Sequence, residues 1–330
     1  TLTREQAKEL LCCFWIKVNN HPAPPKVGIT ARESGTYNDF TNLNIGGITS
    51  DGKDGVSEVS YIMLEIVEEL HILQPGNAVH ISKVTPDRFL EAACNVIRQG
   101  KSLKDAREGG CSGCIEVGAF GKEAFVLTGY LNVPKIVEVT LNNGVDPVTG
   151  KRVSIETGDP REFKNYEELY AAFTKQLHYI VDLKIRVSNY IDRMFAKYAP
   201  APFLSVVIED CISKGRDYYD AGPRYNTNYI QCTGLGTVTD SLSTLKKHVF
   251  EEQAFSMDRV LDAVAKNFEG EEFLRQTILN KTPFFGNDDD YADDIALQVY
   301  ADLLAAIDGK PNTKGESFHL NMLSTTCHIY

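Results

Sequence analysis

Positive charge is in short supply in this sequence. Lys and Arg together number 34 against 45 Asp and Glu, a formal net charge of -11 over 330 residues. The isoelectric point lies near 5.2, and no basic block interleaved with aromatics occurs. A surface of that sign repels phosphate backbones and anionic lipid, so neither nucleic acid nor a membrane is an expected partner. Long apolar runs are also missing, and no stretch could span a bilayer. The beginning, Thr1-Leu2-Thr3-Arg4-Glu5, has neither a signal-peptide pattern nor an initiator Met. The end stops at Tyr330 without a polar tail, so a segment of a longer protein is expected. Cysteine is too sparse for a disulfide scaffold: eight residues at irregular spacing point instead to a reducing, cytoplasmic setting. Repeats, low-complexity tracts and Pro/Ser-rich linkers are absent. What remains, 43% hydrophobic residues, is enough to bury one large core or two average ones.

Several common site patterns are missing too. Cys111 and Cys114 are spaced like half of a zinc site or a redox pair, but no second pair completes it. The seven histidines form no HxxH or HxxxH pair, and the C-x-x-x-C-x-x-C pattern of radical-generating iron–sulfur enzymes does not occur. No metal or directly bound cofactor is therefore expected. Gly234-Leu235-Gly236 lacks the further residues of a phosphate loop and reads as a turn. Asn287-Asp288-Asp289-Asp290, with Asp293 and Asp294, misses the calcium-loop spacing and reads as acid at a helix start. Cys12, Cys94 and Cys211 read as small apolar core residues. The aromatics Phe163, Tyr166, Tyr170, Phe173 and Tyr179 read as packing.

Helical spacing predicts helices over 3–18 with Thr3 as N-cap, over 55–72 with Val59, Met63, Ile66, Val67 and Leu70 inward, and from Pro86 with Phe89, Ala93 and Val96 inward. Further helices are predicted from Asn132-Val133-Pro134 to about Leu141, over 166–198, from Thr239 to about Val249, and over about 257–266, 271–279 and 290–307. Short apolar runs predict strands at 78–82, 153–155, 203–210 and 229–232. The alternation of helices with short strands favours an α/β architecture. A loop rich in Pro and Asn is predicted at 19–25, and the polar, aromatic stretch at 33–40 is of the kind that lines ligands.

The most informative segment is Gly109-Gly110-Cys111-Ser112-Gly113-Cys114-Ile115-Glu116-Val117-Gly118. In extended backbone, residues two apart face the same way, so Cys114 and Glu116 could address one small volume. The glycines permit tight turns and close approach to a ligand. A carboxylate beside a thiol raises the thiol's pKa and so opposes thiolate nucleophilicity. The pair suits a sulfur that works as a neutral radical and a carboxylate that moves protons.

The string Arg107–Glu116 resembles the cysteine loop of the glycyl radical enzymes, the pyruvate formate-lyase-like superfamily. The resemblance continues through Gly121-Lys122-Glu123-Ala124, Pro134–Gly144, Gly222-Pro223-Arg224-Tyr225-Asn226 and Asn287–Asp293. His21–Lys26, Ser34–Phe40 and Leu127-Thr128-Gly129-Tyr130 are most similar to the branch of dehydratases that act on trans-4-hydroxy-L-proline. The resemblance implies part of a ten-stranded α/β barrel, two antiparallel half-barrels of parallel strands wrapped by helices. It implies one partial barrel domain over 1–330, with the glycyl radical domain absent. It assigns Cys114 as the thiyl radical and Glu116 as acid/base. Ser34 and Thr325 match residues holding the substrate carboxylate, Asp39 and Tyr130 match polar contacts to amine and hydroxyl, and Phe40 matches an aromatic wall. The implied cofactor is a protein glycyl radical outside this chain, installed by a radical S-adenosylmethionine activase. A homodimer of the full-length protein and anaerobic operation are also implied.

Three departures stand out. Arg186-Val187-Ser188-Asn189-Tyr190 lacks the glycine of the family's radical motif. Arg98-Gln99-Gly100-Lys101-Ser102 joins segments that family members separate, and Cys111 stands where a Thr is expected. Two other functions stay open: a diol or amino-alcohol substrate within the superfamily, and a non-catalytic fragment that binds a small molecule.

Overall fold

The structure is a computed structural model that describes residues 2–20, 42–49, 51–72, 75–99, 105–108, 111–112, 117–119, 121–124 and 126–323. The chain divides into two compact units, Thr1–Phe125 and Val126–Tyr330.

The first unit runs α1 (Arg4–Asn19), β1 (Asn42–Gly46), α2 (Glu58–Leu70), β2 (Gly76–Ile81), α3 (Asp87–Arg98), β3 (Asp105–Glu108), β4 (Cys111–Ser112) and β5 (Val117–Gly118). Thr3 caps α1 in a reciprocal capping box with Gln6, worth about 1 kcal/mol. β1, β2 and β3 form a parallel sheet in that order. Phe89, Ala93 and Val96 of α3 pack on Ile45 and Val79, as their spacing predicts. α2 departs from its predicted stripe. Its buried apolar residues are Ile62, Leu64, Ile66 and Val67, while Val59 is exposed. The reason is that α2 is packed on two sides. Leu64 and Val67 meet the sheet, and Ile62 and Ile66 meet Trp15 of α1.

The second unit runs β6 (Val126–Asn132), α4 (Val133–Leu141), a 3-10 turn at Pro160–Glu162, α5 (Tyr166–Tyr198), α6 (Pro202–Val207), α7 (Cys211–Lys214), β7 (Asn228–Thr233) and α8 (Leu235–Leu245). A π-helical turn (Lys246–Glu251), α9 (Met257–Ala265), α10 (Glu272–Lys281), α11 (Asp290–Ile307) and β8 (Phe318–Leu323) follow. β7 lies between β6 and β8, all parallel. One large core joins α4, α5, α8 and α11 to this sheet, with Leu169, Phe173, Leu177, Ile230, Leu242, Val299 and Phe318 fully buried. Each contributes about 1.5–3 kcal/mol.

The long helix at 166–198 and the capped helices α4 and α11 match their sequence signals. Three predicted elements do not. Residues 203–210 are no buried strand: α6 is a short helix with no buried residue, Phe203 being 84% exposed. Pro202 at its first turn supplies helical φ. Residues 153–155 form no strand; one bridge, Val145 to Arg152, closes the turn there. α8 begins at Leu235 rather than Thr239, which is buried inside it. Among the predicted core cysteines only Cys211 is buried; Cys94 is exposed and Cys12 half-buried. The parallel sheets with helices fit the expected α/β class, but the described residues do not show a closed barrel.

Candidate active site

Strand register sorts the residues of β6, β7 and β8 onto two faces, because paired residues in a parallel ladder share a face and neighbours alternate. Ile230, Cys232, Leu131, Leu320 and Met322 pack in the core with the helices. Tyr229, Gln231, Thr233, His319, Asn321, Tyr130 and Asn132 therefore occupy the opposite face. That face is polar, and the Tyr229 and His319 rings lie 6.4 Å apart on it. A parallel sheet with helices on one face and polar groups on the other suits a ligand-facing wall.

Tyr130 reaches this face only because β6 carries a bulge. Leu127 pairs with Tyr229, and Tyr130 pairs with Gln231. Two residues, Thr128 and Gly129, thus stand where β7 has Ile230 alone. Without the extra residue Tyr130 would sit opposite Cys232 and face the helical core. Gly129 supplies the left-handed φ of +87°. Thr128 Oγ1 donates to the Tyr229 carbonyl, and Lys184 Nζ of α5 donates to the Thr128 carbonyl. Burial pushes the Lys184 ammonium below the ordinary lysine pKa. Burial also lifts the Cys232 thiol to about 12, and Cys232 packs in the core beneath the helices.

The start of β7 is pinned by a buried polar network. Asn228 Nδ2 donates to Asp192 Oδ2 at 2.7 Å, and Lys314 Nζ lies 3.5 Å from the same oxygen. Asn312 Nδ2 donates to Asn228 Oδ1 at 3.1 Å.

The first unit shows a similar division. Ile45 and Val79 face α2 and α3, so Asn44 and His80 lie on the other side of the β1–β2 pair. The His80 Nε2···Asn44 Oδ1 distance is 2.8 Å, and His80 is fully buried. Arg107 pairs with His80 across β2 and β3. β4 and β5 then pair antiparallel, Cys111 opposite Gly118 and Ser112 opposite Val117. The four residues that join this pair, 113–116, carry Cys114 and Glu116. Ser112 and Val117 pair at ladder distance, about 5 Å between Cα atoms.

Of the sequence-predicted site residues, the structure thus places Tyr130, half-exposed on the polar face. Cys114, Glu116, Ser34, Asp39, Phe40 and Thr325 lie outside the described residues, as do residues 100–102 of the expected joint at 98–102, residues 21–25 of the expected loop at 19–25 and the whole stretch at 33–40. Sequence reasoning passed over His80, Asn44, Tyr229, Gln231, His319 and Lys184. The alternation in Asn228-Tyr229-Ile230-Gln231-Cys232-Thr233 was the available signal for two of them. Among the described residues no cluster of His, Cys, Asp and Glu could hold a metal ion. The acids at 287–294 serve the helix: the Asp289 carboxylate accepts from Tyr291 N. Among the described residues no helix is long and apolar enough to cross a membrane.

Comparison with known proteins adds three findings. A family model described as pyruvate formate lyase-like matches residues 1–330. The trans-4-hydroxy-L-proline dehydratase of Clostridioides difficile is 51% identical over 349 aligned positions, covering 100% of this chain and 44% of the relative. That alignment is longer than this chain of 330 residues, so the relative carries residues that this chain lacks. Among solved structures, hydroxyproline dehydratase from Clostridioides difficile with trans-4-hydroxy-L-proline bound matches with a TM-score of 0.83 at 51% identity, over 100% of this chain and 44% of that one. A glycyl radical enzyme from Archaeoglobus fulgidus matches with a TM-score of 0.76 at 30% identity, over 97% of this chain and 43% of that one. The chain therefore spans less than half the length of these relatives. With every residue inside the family match and the fold shared with solved members, the chain belongs to the pyruvate formate lyase-like family.

Proposed function

We propose that this chain is the substrate-holding barrel portion of a cytoplasmic glycyl radical dehydratase that converts trans-4-hydroxy-L-proline to pyrroline-5-carboxylate and water. One observation carries the reading: 51% identity along the whole chain to a dehydratase of that name. The radical is stored on a backbone glycine outside these residues. The stretch here nearest to a radical motif, 186–190, has Asn189 in place of glycine and sits inside α5, so it does not fit that role. When present, such a radical would accept the hydrogen atom of the Cys114 thiol, forming C–H at the glycine as S–H breaks and leaving the sulfur as a thiyl radical. A radical S-adenosylmethionine activase installs it, and the longer protein works as a homodimer.

In this reading Ser34 and Thr325 hold the substrate carboxylate, Asp39 and Tyr130 hold the amine and hydroxyl, and Phe40 walls the ring. The Cys114 sulfur takes a hydrogen atom from the carbon beside the ring nitrogen, forming S–H as C–H breaks. The neighbouring C–O bond weakens, and Glu116 gives its proton to the departing hydroxyl, which leaves as water. Cys114 returns a hydrogen atom to the ring, and Glu116 recovers its proton from the ring nitrogen as the imine forms. Exclusion of solvent keeps the radical from being quenched.

The test is anaerobic activation of the longer polypeptide followed by product analysis. Hydroxyproline should yield pyrroline-5-carboxylate, and Cys114→Ala or Glu116→Gln should cut the rate by on the order of 10³-fold or more. Turnover that survives either substitution would remove the assigned roles. A preference for a diol or amino alcohol would move the substrate, and hydroxyproline binding without turnover would leave a binding fragment.

A further inference from the structure

The bulge that aims Tyr130 is held from two directions. From β7, the Tyr229 carbonyl accepts the Thr128 hydroxyl. From the helical side, the Lys184 ammonium reaches out of α5 to the Thr128 carbonyl. Such a carbonyl, turned out of the β6–β7 ladder by the extra residue, needs a donor of its own. Lys184 is half-buried, between turns of α5 whose Val181, Ile185 and Ser188 are buried in the unit's interior. A cation placed there serves no ion pair among the hydrogen bonds and salt bridges of the described residues. Its approach to Gly129 is close as well: a Cβ on that glycine would lie 3.3 Å from Nζ. Gly129 and Lys184 are thus matched to each other, one leaving the space that the other fills.

We propose that Lys184 is a positioning residue for the site. Its ammonium fixes the Thr128–Gly129 bulge, and the bulge puts Tyr130 on the substrate face in place of the core face. Lys184 touches no substrate itself. The inference rests on the proposed function only in taking Tyr130 as a substrate contact.

Two experiments on the longer polypeptide test it. The first is the structure of the Lys184→Met variant, read at Tyr130. The expected result is a shifted register between Leu127 and Tyr130, or a Tyr130 ring displaced from the Gln231 side. An unmoved bulge and ring would overturn the proposal whatever the enzyme's substrate. The second is kinetic, in the activated enzyme. Lys184→Met should lower kcat/KM by roughly tenfold to a hundredfold, mainly through KM, and Lys184→Arg should restore most of it. Lys184→Met added to Tyr130→Phe should cost little beyond Tyr130→Phe alone, because both act through one side chain. Full additivity would overturn the positioning role. A wild-type enzyme inactive on hydroxyproline would sink the substrate reading and leave the first experiment decisive. If Met at 184 prevents folding, Lys184→Gln, one atom shorter and uncharged, is read in the same way at Tyr130; a bulge and ring that stay in place there would also overturn the proposal.

Discussion

Lys314 and Asp192 show what single buried charges do in this fold. Both side chains are nearly sealed from solvent, at 3% and 7% exposure. Burial pulls the Lys314 ammonium below the ordinary lysine pKa. Asp192 also accepts the hydrogen bond of Asn228 at the start of β7. Removing the carboxylate alone strands a cation and an amide donor together. Asp192→Ala should therefore cost about 3–5 kcal/mol in urea unfolding, and the double variant Asp192→Leu with Lys314→Met should recover much of it. Equal losses in both proteins would show that the pair is not coupled. Asp146 is the more exposed counterpart. The Lys135 ammonium 2.7 Å from Oδ1, with the Thr149 hydroxyl and amide on Oδ2, holds its pKa down to about 2 from an ordinary 3.8. A depressed carboxylate contributes stability that is fully present above about pH 4 and is lost as pH falls towards 2. Asp146→Asn should flatten the dependence of the unfolding midpoint between pH 5 and 2; an unchanged slope would assign it to other carboxylates.

Among the elements, those with local punctuation were legible in the sequence. α4 begins at an Asn–Val–Pro cap and stops at Asn142-Asn143-Gly144, and α5 runs from an Asn165 cap to the residue before Ala199-Pro200. The run at 203–210 was misread because a short apolar stretch fits a buried strand or a helix equally well by period. Its burial was decided by tertiary context, which left Phe203, Val206 and Val207 exposed. β8 was missed although Phe318-His319-Leu320-Asn321-Met322 alternates cleanly. Its polar alternates face the same side as Tyr130, so the pattern carried the strand and its polar face at once. The residues around Cys114 carry the sequence's expectation of a site and lie outside the described residues, whereas the bulge that turns Tyr130 needs a partner strand to be visible at all. Glycines mark another limit. Gly144 and Gly150 both take left-handed φ, +84° and +67°, yet their surroundings differ. A Cβ at Gly144 would meet the Ile155 and Ser154 carbonyls at 2.3 and 2.7 Å, whereas at Gly150 nothing lies within 4 Å. Gly150→Ala should cost about 1–2 kcal/mol from handedness. Gly144→Ala should add about 1–3 kcal/mol of overpacking to that. Matched losses in thermal unfolding would contradict the packing argument.

For the whole molecule, the outward side of α5 is the feature least explained by its own unit. Val181, Ile185, Ser188 and Asp192 are buried, as one face of an amphipathic helix should be. Yet Leu183, Val187, Tyr190, Met194 and Tyr198 are exposed, Tyr190 and Tyr198 at 65% each. Their spacing of three and four residues makes a second apolar stripe along the helix. Phe203, Val206, Val207 and Ile212 add further exposed apolar surface in α6 and α7. Contiguous apolar surface of this kind is rarely left to water in a stable monomer. As an isolated chain, the protein should therefore bind a hydrophobic dye and show a sedimentation coefficient that rises with concentration. Val187→Glu, Tyr190→Glu and Met194→Glu together should suppress both signals without lowering the unfolding midpoint, because none of the three is buried in the core. An isolated chain that stays monomeric at high concentration and leaves the dye dark would show that water, not another surface, is the proper neighbour of this stripe.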